Sequence, residues 1–188
     1  SDTHEDVTII FAAVKGFDNF SESLEPVKAL ALLNRLIVSF DEAGERNGVE
    51  KLKSSGASYL AVCGLSIPRF DHSQRAVAFA MEIVKIVRVF NRENGAQLQL
   101  QIGIHRGPVT GGIIGRNKFI YDLWGKTINI AKTLGEGLGD GEIRISRDVF
   151  ERVADLYECK LISEKLSGDE PVYVVETSTE TRIGMNRN

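Results

Sequence analysis

The sequence predicts an α+β fold in a single domain. Strand-like and helix-like periodicities alternate in the order βαββαββ over residues 7–114, and 43% of the 188 residues are apolar against 26% charged. A chain of this length buries roughly 70% of the surface its unfolded form exposes, so it can build a core without disulfides. No internal repeat and no linker divides it.

Val7 to Val14 is a β-rich apolar run that stops before Gly16, the pattern of a buried strand followed by a tight turn. From Pro26 to Glu45 the residues Ala29, Leu33, Leu36, Phe40 and Ala43 recur at helical spacing, with Pro at the start and Gly48 past the end. Glu50 to Ser54 alternates and Tyr59 to Leu65 is apolar, with Ser55-Gly56 as the turn of a hairpin. A second helix runs from His72 to Asn91. Asp71 and Gln74 stand at capping-box spacing at its start, and Ala76, Phe79, Ala80, Ile83, Val87 and Phe90 form its stripe. Leu98 to Ile102 alternates as a half-exposed strand, Gly107-Pro108 reads as a break, and Val109 to Ile114 reads as a separate strand. The remainder reads as a helix at Lys126 to Leu134, a strand at Glu142 to Ile145 and a helix at Arg147 to Leu156. Two final strands follow, near Tyr157 to Leu161 and Pro171 to Glu176. The domain thus spans residues 1–176, and the polar stretch 177–188 reads as a frayed tail. The βαββαβ opening is a ferredoxin-like core, an antiparallel sheet with helices on one face, and the αβαββ stretch extends it. Such a fold serves many functions and decides none.

Composition narrows the function. With 23 Lys and Arg against 26 Asp and Glu, the net charge is −3, and no basic field draws in a polyanion. No strand carries the basic, aromatic-interleaved pattern that stacks bases, so nucleic acid is not expected as a partner. Cys63 and Cys159 lie in apolar stretches without zinc-site spacing, which fits a reducing, cytoplasmic setting. The longest apolar runs fall far short of the ~20 residues that span a bilayer, and no basic-then-apolar leader opens the chain. Direct membrane contact by this segment is therefore not expected. Ser1 is not an initiator Met, which leaves open an origin within a longer polypeptide. Gly125-Lys126-Thr127 matches the end of a phosphate-binding loop, but Ile120 stands where the loop needs its first Gly. His4, His72 and His105 are isolated in sequence, and no Ser or Cys occupies a nucleophile elbow.

Three segments together say more. They are Phe11 to Glu22, Lys51 to Ala61, and a run that opens with Gly103-Ile104-His105-Arg106-Gly107-Pro108-Val109. This third run continues through Gly111-Gly112 to Tyr121-Asp122-Leu123-Trp124-Gly125 and Asn129. In order and spacing they resemble the catalytic domain of class III adenylyl and guanylyl cyclases, and the resemblance covers Val7 to Glu176. It implies head-to-tail pairing of two such domains, with metal ligands from one partner and base-reading residues from the other. It also implies attack of the ribose 3′ hydroxyl on the α-phosphate, assisted by two metal ions held by two carboxylates.

In that pattern the metal carboxylates would fall at positions 13 and 57, where this chain has Ala13 and Ala57. Methyl groups cannot coordinate magnesium, and no cofactor is expected for the chain alone; Mg or Mn enters only with a metal-competent partner. Lys53 and Asp122 match the pair that reads adenine, and Gly16 and Phe17 match the phosphate-side turn. Asn129 matches the ribose-orienting, transition-state position, whereas Thr133 stands where an Arg stabilises the α-phosphate. Loss of one such donor costs on the order of a hundred- to thousandfold in rate. Asp18 replaces the usual Thr after Gly16-Phe17 and sets a carboxylate where triphosphate would lie.

Singly, Lys53, Asp122 and Asn129 also fit a solvated strand face, a turn cap and a helix surface; jointly, at family spacing, they fit an inherited purine pocket. The resemblance thus implies a degenerate adenylyl cyclase-like domain, a pseudoenzyme that makes no cyclic nucleotide as a homodimer and has regulatory or scaffolding value in cyclic-nucleotide signalling. One alternative is the base-reading half of a heterodimeric adenylyl cyclase whose partner supplies the carboxylates. The other is an ATP-sensing module without turnover. The setting implied is cytoplasmic, within a larger membrane-anchored or multidomain protein.

Overall fold

The computed structural model describes residues 2–114, 120–136, 142–165 and 170–177. The chain runs through β1 (Asp2–Lys15), α1 (Phe17–Ser21), α2 (Pro26–Asn47), β2 (Val49–Ser55), β3 (Ser58–Cys63) and α3 (His72–Asn94). It continues with β4 (Gln99–Ile114), β5 (Ile120–Trp124), α4 (Lys126–Glu136), β6 (Ile143–Ser146), α5 (Arg147–Val153), β7 (Cys159–Lys165) and β8 (Pro171–Val175). The eight strands of the described residues share one sheet in the order β2-β3-β1-β4-β6-β8-β7, with β5 paired to β4. The pairs β2-β3, β3-β1 and β1-β4 are all antiparallel, which is the ferredoxin-like core. β6 then joins β4 in parallel, and β8 and β7 add antiparallel strands beyond it.

Residues of β1 alternate between the two faces of the sheet. Ile10, Ala12 and Val14 pack with Leu36 and Phe40 of α2 and Phe79 and Ile83 of α3. Val7, Ile9, Phe11 and Ala13 face the other way and meet Ile128 and Ala131 of α4. The core helices α2 and α3 thus share one face, as the ferredoxin-like opening predicts, and α4 of the extension covers the other. The unbroken apolar run Val7 to Val14 has this cause, since a strand buried on both faces loses the polar half of its alternation. α4 lies directly on the β4 backbone: a Cβ on Gly103 would stand 2.0 Å from the Ala131 carbonyl oxygen and 2.3 Å from the Gly135 nitrogen. At its first turn, the Thr127 hydroxyl donates to the Pro108 carbonyl at 2.6 Å.

Gly107-Pro108 does not break the chain; β4 runs straight through it. Val7 pairs with Gly107 and His4 with Val109, so Glu5 and Asp6 of β1 oppose the single residue Pro108 in a bulge. A residue without an N–H is tolerated in a sheet at such a bulge, where no ladder bond is required of it. The capping box is also corrected. The Asp71 side chain caps nothing and accepts instead from Arg75 Nε at 2.9 Å, while Gln74 Nε2 donates to the Arg152 carbonyl at 3.1 Å. Arg75, one turn on, outcompetes the backbone amides with a charge-assisted bond. α5 has the side-chain cap that α3 lacks, because Ser146 Oγ accepts from the Val149 amide. α5 ends at Val153, short of Leu156.

Thr177 is held, with Arg88 donating to its carbonyl at 3.4 Å and its hydroxyl at 3.2 Å; residues 178–188, read as a tail, lie outside the described residues. Among the described residues no helix is long and apolar enough to cross a membrane.

Candidate functional site

Ala13 and Ala57 are brought side by side. Ala13 pairs with Ser58 across β1 and β3, and the Val14 amide donates to the Ala57 carbonyl at 2.8 Å. Ala13 is 5% exposed and packs with Phe11 and Leu60, whereas Ala57 is half-buried. The chain then turns at Gly16, whose φ of +90° suits a residue without a Cβ, into the short α1. Phe17 is buried there, edge-on to Phe20 with ring centroids 6.0 Å apart. Asp18 is exposed in the first turn of α1 and is the nearest carboxylate in sequence to Ala13.

A divalent cation of the magnesium type needs anionic oxygen ligands, and the two positions that would supply them here end in methyl groups. Among the described residues no group of three or more His, Cys, Asp or Glu is placed to hold a metal. The residues present do not fit the two-metal centre that the resemblance implies.

The remaining candidate residues lie elsewhere. Lys53 is exposed on the edge strand β2, just past an irregularity in its pairing with β3, while Lys51 is taken up by Asp41 at 3.0 Å. Asp122 sits on β5 opposite Gly112; its side chain lies outside the described residues. Asn129 and Thr133 are exposed one turn apart on α4, and the Thr133 hydroxyl donates to the Asn129 carbonyl at 2.9 Å. Its one donor is therefore turned back into the helix. Both residues line a cleft of about 1030 Å³ with Trp124, Lys126, His105 and Arg106. Four carboxylates, on Glu5, Asp6, Asp148 and Glu170, line the same cleft. Arg106 is engaged by Asp6 through two contacts of 3.2 Å, while Lys126 of the same lining is exposed.

Sequence reading missed a polar cluster here. His72, Thr8, Ser73, Asp6 and Arg106 look isolated in sequence but meet at the start of α3. His72 Nε2 donates to Asp6 at 3.3 Å, its Nδ1 lies 2.6 Å from the Thr8 hydroxyl, and that hydroxyl lies 2.8 Å from the Ser73 hydroxyl. No local signal links residues 64 apart in the chain. Thr8 is fully buried, so this Asp-His-hydroxyl order offers no nucleophile to a substrate. Burial pushes the Asp6 carboxyl up, but the Arg106 hydrogen bonds and charge, with those of His72, outweigh it and hold Asp6 below the usual carboxylate range. His105 Nδ1 lies 2.6 Å from Ser146 Oγ. Burial, opposed by the charge of Asp148, holds this imidazole below its ordinary value.

A sequence model of the adenylate and guanylate cyclase catalytic domain matches residues 1–174. An adenylate cyclase of Mycobacterium tuberculosis is 33% identical over 155 residues, which are 82% of this chain and 35% of that protein. Adenylate cyclase type 9 of Gallus gallus is 32% identical over 82% of this chain and 12% of its own length. The chain therefore spans about a third or less of these relatives. Among solved structures, the guanylate cyclase domain of RhGC from Catenaria anguillulae in complex with GTP superposes with a TM-score of 0.86 at 28% identity, covering 94% of this chain and 98% of that one. The adenylyl cyclase CyaB from P. aeruginosa shares the fold, with a TM-score of 0.87 at 22% identity over 95% of this chain and 97% of its own. With its sheet order, its motifs and its matched length in agreement, the chain belongs to the family of adenylate and guanylate cyclase catalytic domains.

Proposed function

We propose that this domain has kept the cyclase fold and lost turnover of its own, acting as a regulatory or scaffolding dimer in cyclic-nucleotide signalling. One observation carries the reading: Ala13, on β1, and Ala57, in the β2-β3 turn, whose carbonyl accepts from the Val14 amide, leave no anionic oxygen where the reaction needs a pair of divalent ions. Thr133 supports it, since its hydroxyl serves the Asn129 carbonyl and carries no positive charge. The carboxylates around the α4 cleft point the same way. The relatives are named as cyclases, and the proposed loss rests on this chain's own residues at positions 13, 57 and 133. The domain is read as a cytoplasmic part of a larger polypeptide, given the share of its relatives that it spans.

Incubation of the purified chain with ATP or GTP and either magnesium or manganese should yield no cyclic AMP or cyclic GMP. Robust formation of either product would end the proposal. Ala13→Asp and Ala57→Asp combined with Thr133→Arg should create activity if these are the positions that fail.

A second reading is favoured by the exposure of Lys53 and Asn129, which leaves both able to meet another chain. Here the domain lends Lys53, Asp122 and Asn129 to a different cyclase domain that brings the carboxylates, and magnesium or manganese, with it. Mixing with such a partner should give activity that neither chain shows alone, and a rate unchanged across all ratios argues against it. If the purine pocket survives without turnover, calorimetry should detect ATP binding that Lys53→Ala abolishes.

A further inference from the structure

We infer that the segment ahead of Val7 is a strap, latched at Asp6, whose detachment loosens the outer β4-β5 ribbon and the first turn of α4 together. The inference goes beyond the functional reading and holds whether or not the chain turns nucleotide over. Pairing carries it first. Asp2, Thr3 and His4 oppose Gly111, Thr110 and Val109 of β4, while the registered pairing of β1 with β3 begins only at Thr8. On its other side the same stretch of β4 pairs with β5, Thr110 opposite Trp124 and Gly111 opposite Leu123. The strap is thus the edge strand of a three-stranded ribbon.

Little apolar burial holds it. Asp2, Thr3, Glu5 and Asp6 are exposed and His4 is half-buried, so little apolar burial adds to the main-chain pairing and to the polar contacts of the segment, those of Asp6 among them. Segments held this way open at low free energy. Asp6 sits in the bulge opposite Pro108 and joins Arg106 of β4 to His72 of α3. If it leaves, His72, which is 5% exposed, loses the acceptor on Nε2, a cost that favours the latched form. The Pro108 carbonyl, across the bulge from Asp6, is the acceptor for Thr127, so disturbance of the bulge reaches α4 directly. Glu5 and Asp6 also form part of the cleft wall with Asn129 and Trp124.

The test is hydrogen exchange read by mass spectrometry on the full chain and on Asp6→Ala. Exchange should rise about tenfold, the scale of one lost charge-assisted hydrogen bond, in residues 2–5, 109–112 and 123–124 and in 130–133, whose amides bond to the carbonyls of the first turn of α4. It should stay unchanged in β2, β3 and α2. A rise confined to residues 5–8 and 106 would overturn the coupling. A rise of equal size in β2, β3 and α2 would also overturn it, by showing that Asp6 merely stabilises the whole fold. Thr3→Pro, which leaves the Asp6 latch in place, gives the second measurement if Asp6→Ala does not fold. It should speed exchange at 109–112 and 123–124, and unchanged exchange there contradicts the strap.

Discussion

His105 shows how one residue can report on its surroundings. Ser146 Oγ accepts the Val149 amide as the cap of α5, so its own proton is free to go to His105 Nδ1, an arrangement that suits neutral imidazole. Burial lowers the proton affinity of this ring in the folded state from its ordinary 6.5. As pH falls below that value the unfolded chain takes up a proton that the folded chain refuses, so stability declines until the folded-state value is passed. Urea unfolding across this range should show the decline, and His105→Gln should flatten it; an identical slope in the variant would remove the assignment. Ser146→Ala should cost about 1 kcal/mol through the lost cap, measurable in the same titration. Burial likewise pushes the Cys63 thiol up to about 11, and alkylation of the folded chain at neutral pH should spare it. At this scale the identity of Ala13 and Ala57 can be read without coordinates, but the meeting of Asp6, Thr8, His72 and Arg106 cannot, because no local rule joins strands to a distant helix start.

Among the elements, α4 depends most on a single position. Its backbone rests against Gly103, where any side chain would meet the Ala131 carbonyl and the Gly135 nitrogen at less than van der Waals distance. Gly103→Ala should displace α4 and lower stability by about 3 kcal/mol, and thermal unfolding that matches the parent would show that the helix yields freely. The long helices α2 and α3 were legible because their apolar stripes repeat over many turns. Gly107-Pro108 was misread as a break because a bulge that spares the missing N–H depends on the facing strand, not on the dipeptide. Two short elements, α1 and β5, escaped as well; five residues each carry too little periodicity to declare themselves. The capping-box spacing at Asp71 and Gln74 misled for a different reason, since both side chains found partners outside the first turn.

For the molecule as a whole, helices pack on both faces of the sheet, and the candidate positions fall into separate groups. Ala13 and Ala57 lie together at the end of β1 and β3, Asn129 and Thr133 line the α4 cleft, and Lys53 stands on the edge strand β2. Such a division suits a domain that completes its sites only against another domain, and it leaves the family chemistry dependent on what each partner contributes. On the proposed reading, this chain's contribution lacks the anionic half. Manganese binding, followed by electron paramagnetic resonance, tests that deficit without reliance on turnover. The isolated chain with ATP should leave the signal of the free hydrated ion undiminished beyond what ATP alone removes, whereas Ala13→Asp with Ala57→Asp should bind the ion. Stoichiometric manganese uptake by the unaltered chain, with no other cyclase domain present, would contradict the account.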